Sequence, residues 1–417
     1  MHYDFTTLPN GLRVISEAMP SLRSIAIGCW IDTGTRDEVP SEHGASHFLE
    51  HLLFKGSEKL SAREISEILD SIGAESNAFT SKEATCYWTR LLDQDLETGF
   101  DVLSEMIQRP AFRQNEIDAE RNVVIEEINM NEDDPNDVAF ENFTTSLFAD
   151  HPLEAPVLGT KESILGMSRD DIHGYWNRRY GAGSMVIAAA GSVDHEALVA
   201  TVAERFGDWS GDGVDHEAAE AAARSNVKVT RRDTEQAHIV LGGKGLKRSD
   251  ERRWAFEILN HVMGSGMSSR LFREVREERG LAYAIYAFRL AYGDAGAWGV
   301  YVGTTPSQID TAMTVILGEL DKVVADGITK AELDRAKGSM RGGLALSLED
   351  ANSRMIRLGR DELAGMPHLS VDERLKKLDD ITLEDVQSAA NDLYTSERVI
   401  GATGPFDATD LKQYVEI

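Results

Sequence analysis

The sequence predicts an α+β fold built twice: two tandem homologous domains, each a mostly antiparallel sheet with helices packed on one face. Three observations carry that expectation. Short links join many of the strand-like runs in the first half, which favours antiparallel pairing with helices on one side. Near the midpoint, Asp208-Trp-Ser-Gly-Asp-Gly-Val-Asp-His and the alanine-rich run from Glu217 to Asn226 interrupt the apolar periodicity. Finally, the two halves share a pattern. Ser168-Arg-Asp-Asp171 opens a helix running to Tyr180, followed by an apolar strand from Met185 to Ala190 and then Gly191. Thr382-Leu-Glu-Asp385 opens a helix running to Tyr394, followed by strand-like Val399 to Ala402 and then Gly404. Each helix begins with Ser or Thr whose third neighbour is Asp, a variant of the capping box. The spacing from cap to tyrosine is identical in the two copies, and the spacing from tyrosine to glycine differs by one residue. A duplicated domain accounts for that joint order, and divides the chain into residues 1–210, a linker at 211–226 and residues 227–417.

Along the chain, Leu12 to Ile15, Ile25 to Ile31, Ser76 to Thr80 and Thr85 to Arg90 read as strands. Helical periodicity marks Ala45 to Phe54, Ala62 to Ile72, Leu96 to Gln108 and Glu116 to Met130. Asn115 has the residue type of an N-cap for the last of these.

Length and composition narrow the function. A chain of 417 residues suits two or three domains. With 42% hydrophobic and 27% charged residues it is an ordinary globular chain, not a disordered one. A formal net charge of −28 argues against nucleic acid and anionic membrane as partners, since both need a basic footprint. Two cysteines, Cys29 and Cys86, make no disulfide framework and fit a reducing compartment. The opening Met-His-Tyr-Asp-Phe-Thr-Thr lacks the basic and apolar regions of a signal peptide. No apolar run approaches the ~18 residues of a membrane span. A soluble, cytoplasmic chain is expected.

The decisive feature is His47-Phe-Leu-Glu50-His51. Residues four apart on a helix lie one turn up the same face, so both imidazoles can converge on one ion, with Glu50 beside them to take a proton from water. Chance yields this pattern roughly 0.03 times in a chain of this length and composition. The bland alternative is a solvated helix face with two surface histidines. His43 extends the histidine spacing, but Gly44 intervenes before the helix, and His43 is expected at the surface. A catalytic zinc takes three protein ligands and keeps one position open. The acidic helix 116–130 is the best donor of the third. At 100° per residue Glu116, Glu120 and Glu127 fall within about 40° of one another, beside an apolar stripe of Ile117, Val124 and Ile128. Spacing alone does not choose among these carboxylates, and a solvent-facing acidic stripe would look the same.

The second half acts as a control. Aligning Glu116-Ile-Asp118 with Glu332-Leu-Asp334 sets Ala336 opposite Glu120 and Gly343 opposite Glu127. Aligning Gly56 with Gly264 sets Ala255, Ile258 and Leu259 opposite His47, Glu50 and His51. The metal-site residues therefore occur in one copy only, as when one copy does chemistry and the other supports it.

These residues resemble the pitrilysin family of zinc peptidases, the inverzincins that include mitochondrial processing peptidase. The resemblance covers essentially the whole chain and rests on His47-Phe-Leu-Glu-His51, Glu120-Arg-Asn-Val-Val-Ile-Glu-Glu127, Ser76-Asn77-Ala78-Phe79-Thr80 and Arg276-Glu-Glu-Arg-Gly280-Leu-Ala-Tyr283. It implies one zinc per chain held by His47, His51 and Glu127, with Glu50 as general base and Glu120 as a carboxylate that orients a ligand. It also implies that Asn77, Ala78, Phe79 and Thr80 lie on an edge strand to which peptide substrates add, and that Arg276 and Tyr283 hold the substrate and support the developing oxyanion. Without the resemblance, Arg276 and Tyr283 read equally as a surface arginine and a core-edge tyrosine. Gly264-Ser-Gly266-Met-Ser-Ser is similar to the family's glycine-rich loop and lacks the Gly-Lys-Ser/Thr of a nucleotide-binding loop. The length points to the short, two-domain type whose chains pair as dimers. The leading expectation is a zinc endopeptidase acting on unfolded peptides inside a clamshell homodimer. The alternatives are a non-catalytic, partner-binding subunit and a catalytic subunit active only with a different chain.

Overall fold

Six strands of the first half form one sheet: β1 (Tyr3–Thr7), β2 (Arg13–Ala18), β3 (Ser24–Ile31), β4 (Glu75–Thr80), β5 (Thr85–Leu92) and β6 (Met185–Gly191), in the order β1-β2-β6-β3-β5-β4. Five strands of the second half form another: β7 (Asn226–Arg231), β8 (Ala237–Lys244), β9 (Ala282–Ala291), β10 (Gly296–Thr304) and β11 (Arg398–Gly404), in the order β7-β11-β8-β10-β9. With β1 set aside the two orders are the same. In each sheet a single pair is parallel, β2 with β6 and β7 with β11, and the remaining pairs are antiparallel. This shared topology is the duplication expected from the recurring cap, helix, tyrosine, strand and glycine. The computed structural model describes residues 3–213, 216 and 226–416, so most of the expected 211–226 linker lies outside the described residues.

The helices of the first half are α1 (Ala45–Leu53), α2 (Ala62–Ser71), α3 (Leu96–Gln108), α4 (Gln114–Asp133), α5 (Pro135–Leu147), α6 (Lys161–Gly166), α7 (Arg169–Arg179) and α8 (His195–Phe206). Those of the second half are α9 (Arg253–Gly264), α10 (Ile309–Asp326), α11 (Lys330–Ser347), α12 (Ala351–Leu363), α13 (Val371–Asp380), α14 (Leu383–Tyr394) and the single turn α15 (Ala408–Leu411). Reciprocal capping boxes of Ser168 with Asp171 and Thr382 with Asp385 start α7 and α14. Asn115 is not an N-cap: α4 already begins at Gln114, and the Asn115 amide bonds the Glu116 side chain.

The fully buried strands β6, β10 and β11 read as continuous apolar or small-residue runs because both faces of each sheet are covered. In β3, Ile25, Ile27, Cys29 and Ile31 face a layer built from the first half's own helices. Ala26 and Trp30 face the other way, onto Ala351, Met355 and Leu358 of α12. In the second sheet, Val240, Ala297 and Val399 meet Ala139, Phe143 and Leu147 of α5. Each sheet thus has its own helices on one face and a helix from the other half of the chain on its second face. The packed units accordingly depart from the expected 1–210 and 227–417 division: residues 129–154 belong with the second sheet and residues 344–371 with the first.

Close approach makes these helix seats specific. A Cβ on Gly401 of β11 would lie 2.0 Å from the Phe143 amide nitrogen and 2.5 Å from the Ala139 carbonyl of α5. In the first unit the glycine is on the helix instead: a Cβ on Gly359 of α12 would lie 2.0 Å from the Trp30 indole nitrogen. The α12 seat is also charged. Glu17 of β2, 3% exposed, accepts from Arg354 and from Arg357, the latter at 2.6 Å.

Candidate metal centre

Helix α1 presents the site because of how its two faces divide. Phe48, Leu49, Leu52 and Leu53 are buried in the core, which leaves His47, Glu50 and His51 half-buried on the opposite stripe. The helix begins at Gly44, which has a left-handed φ of 87° and no side chain to cap with. Its amide and that of Ser46 are instead taken by the two carboxylate oxygens of Glu38, each at 2.7 Å. Burial pushes the Glu38 carboxyl up to about 8, against the backbone donors that favour its charged form. Glu38→Ala, which strands two buried N–H groups, is expected to cost about 2 kcal/mol, read from the midpoint of urea unfolding. An unchanged midpoint would remove this anchoring role.

The site residues converge from two helices and a strand. The Nε2 atoms of His47 and His51 each lie 3.5 Å from Oε2 of Glu127 on α4. Ligand atoms of all three residues fall within 4.8 Å of one another, the sole such His, Cys, Asp or Glu group among the described residues. A tetrahedral zinc with bonds of about 2.1 Å sets its ligand atoms about 3.4 Å apart. The two 3.5 Å separations match that edge and are long for ordinary hydrogen bonds. Burial, aided by His51, pushes His47 down to about 4, so its imidazole is neutral and has a lone pair to donate. The donor set fits zinc.

Around this triangle, Glu120 places Oε2 3.2 Å from Nδ1 of His51, while Glu116 is turned away onto Asn115. Glu50 accepts a 2.5 Å bond from the Thr80 hydroxyl. Burial raises the Glu50 pKa, and the Thr80 bond opposes that. Thr80 ends β4, an edge strand of its sheet. Of the strand residues expected to meet substrate, Asn77 is exposed and its side chain accepts the Ala78 amide at 2.8 Å; Phe79 packs edge-on against Trp30. Thr80 commits its hydroxyl to Glu50. His43, expected at the surface, is half-buried.

Arg276 and Tyr283 sit together in the second unit. The guanidinium carbon of Arg276 lies 4.7 Å from the Tyr283 ring centre and 4.8 Å from that of Phe272. Arg276 lies in a π-helical turn from Phe272 to Glu277, and Tyr283 projects from edge strand β9 with 79% of its surface exposed.

Residues 13–161 match the sequence profile described as insulinase (peptidase family M16), and residues 166–340 match the peptidase M16 inactive domain. An uncharacterized zinc protease of Streptomyces coelicolor is 42% identical over 96% of this chain and 89% of its own length. The uncharacterized zinc protease YmxG of Bacillus subtilis is 39% identical over 96% of this chain and 97% of its own. The chain belongs to peptidase family M16. Solved structures share the fold: a peptidase M16 inactive domain from Pseudomonas fluorescens (TM-score 0.91, 20% identity, 98% of this chain and 99% of that one) and a protease from Helicobacter pylori (TM-score 0.89, 22% identity, 96% and 99%). The resemblance to short, two-domain zinc peptidases therefore holds at the level of family.

In the second half of this M16 chain, the positions aligned with the candidate ligands carry none of them. Ala255, Ile258 and Leu259 of α9 are buried core residues, Ala336 of α11 is buried, and Gly343 is exposed. No described helix of the M16 chain is long and apolar enough to cross a membrane.

Sequence reasoning passed over Glu38 and two further residues that organise the centre. Arg121 of α4 donates to the carbonyls of Ile164 and Met167 and stacks 5.4 Å over Phe48, which fixes α4 beside α1. Lys55 places its ammonium 2.8 Å from Oε1 of Glu120. The available signal for Lys55 was its position four residues after His51.

Proposed function

We propose that this chain is a zinc-dependent endopeptidase that hydrolyses unfolded peptides inside a clamshell homodimer, with one zinc per chain. The observation that carries the reading is the set of 3.5 Å separations joining His47, His51 and Glu127, with Glu50 on the same helix stripe. Zinc bound there would polarise a peptide carbonyl and acidify a water. Glu50 takes the water proton and returns it to the leaving amine. Glu120 holds His51 in orientation, a kind of support often worth ~10–100-fold. An extended peptide adds to β4 at Asn77, Ala78, Phe79 and Thr80 through main-chain hydrogen bonds, which select weakly among side chains. The two buried, unpaired cysteines suit a cytoplasmic setting.

The purified protein is expected to cleave a mixed pool of unstructured peptides, to lose that activity on dialysis against a chelator, and to regain it with zinc. Cleavage that survives chelation would sink the metal assignment. Silence from zinc-loaded protein would shift the reading to a chain that needs a different partner or does no chemistry.

Arg276 and Tyr283 are proposed to serve the partner subunit's zinc centre, holding substrate and supporting the oxyanion. Mixing Glu50→Gln with Tyr283→Phe chains should then restore part of the activity that each lacks alone. No recovery after demonstrated subunit exchange would exclude action in trans.

A further inference from the structure

We infer that Lys55 is a positioning residue of the metal centre, the outer end of a Lys55–Glu120–His51 chain that fixes the His51 imidazole for zinc. The inference rests on the metal site proposed above and extends it by one residue.

Glu120 is 5% exposed and both of its oxygens are engaged: Oε2 faces Nδ1 of His51 at 3.2 Å and Oε1 faces the Lys55 ammonium at 2.8 Å. A carboxylate held at one oxygen can rotate about its last side-chain bond, whereas one held at both is fixed in plane and direction. Lys55 lies just past the C-terminus of α1 on a tight turn, its amide donating to the Leu52 carbonyl at 3.0 Å. The same short segment therefore supplies both the imidazole and the ammonium that grip one carboxylate from α4. That bridge ties the helix carrying Glu127 to the helix carrying both histidines. The two histidines differ in this support, because Nδ1 of His47 is buried without a hydrogen-bond partner while Nδ1 of His51 has Glu120. A residue that strengthens the Glu120 anchor thus acts on the one imidazole that is oriented by a polar partner. Lys55 is itself only about one-third exposed, so its ion pair is less screened than a surface pair.

The test is zinc affinity, measured by competition with a chromophoric chelator, for wild type, Lys55→Met, Lys55→Arg and Glu120→Ala, alongside the melting temperature of each metal-free protein. Methionine keeps the apolar stem and removes the charge. Lys55→Met is expected to weaken zinc binding about tenfold, the lower end of the range for outer partners of a metal-bound histidine, and Lys55→Arg to restore most of it. In the Glu120→Ala background Lys55→Met should have no further effect, since its route to the metal has gone. Zinc affinity unchanged in Lys55→Met, or weakened equally with and without Glu120, would overturn the role. A wild type that takes up no zinc would overturn the metal site itself, a result separable from the other two.

Discussion

Glu50→Gln is expected to lower peptide hydrolysis by about 10³-fold while leaving zinc uptake at the wild-type level. The substitution is nearly isosteric and keeps an oxygen that can accept the Thr80 hydroxyl, so α1 and β4 stay connected as they are. Glu50 is outside the group whose ligand atoms converge, so removing its charge leaves those atoms in place. What disappears is the only carboxylate on the His47–His51 stripe of α1 able to accept a proton. Burial raises the Glu50 pKa against the opposing Thr80 bond, the direction that improves a general base. Initial rates on the peptide pool together with metal content check both halves of the expectation. A variant retaining more than about a tenth of the rate would remove Glu50 as the base, because general-base contributions start near 10²-fold. A variant that also lost zinc would mean that Glu50 holds the site together, not that it moves a proton.

The largest stability effect is expected at Glu17. Glu17→Ala should cost about 3–5 kcal/mol, because it removes the carboxylate that the largely buried guanidiniums of Arg354 and Arg357 both bond. The side chains of these arginines are only 14% and 12% exposed, so water cannot take over the lost partner. The ion cluster need not be stabilising in itself, since desolvating three charges offsets much of their attraction. Replacing Glu17, Arg354 and Arg357 together by apolar residues of similar size is therefore expected to recover most of the loss. Urea unfolding of the single and triple variants separates the two cases. A Glu17→Ala loss under about 1 kcal/mol would mean the pair behaves as a solvated surface bridge.

Part of the metal centre was legible because helix periodicity is local. His47 and His51 share a face by virtue of being four apart, and the apolar residues between and after them say which face is buried. Spacing did not show which carboxylate joins the two histidines; only the family resemblance singled out Glu127. Glu116 and Glu127 fall on one angular stripe, yet at a rise of 1.5 Å per residue they stand about 16 Å apart along α4. Which carboxylate meets the histidines depends on where α4 crosses α1, and that is set by core packing and by Arg121 fastened to the Ile164 and Met167 carbonyls. Lys55 and Glu38 were missed for the same reason. Lys55 stands four residues after His51, but its partner Glu120 is distant in sequence, and Glu38 accepts from amides oriented by a turn, so periodicity by itself announces neither role.

Strand and helix types, the duplication, the paired capping boxes and the two-histidine motif are properties of local spacing and repeat, and the chain alone determined them. The exchange of α5 and α12 between the two sheets, the choice of Glu127 over Glu116 and the commitment of Thr80 to Glu50 were decided only by tertiary structure. An apolar stripe specifies that a helix must be covered without specifying by which sheet. The answer comes from shape, as where the backbone of α5 rests on Gly401 and Gly359 of α12 rests on Trp30.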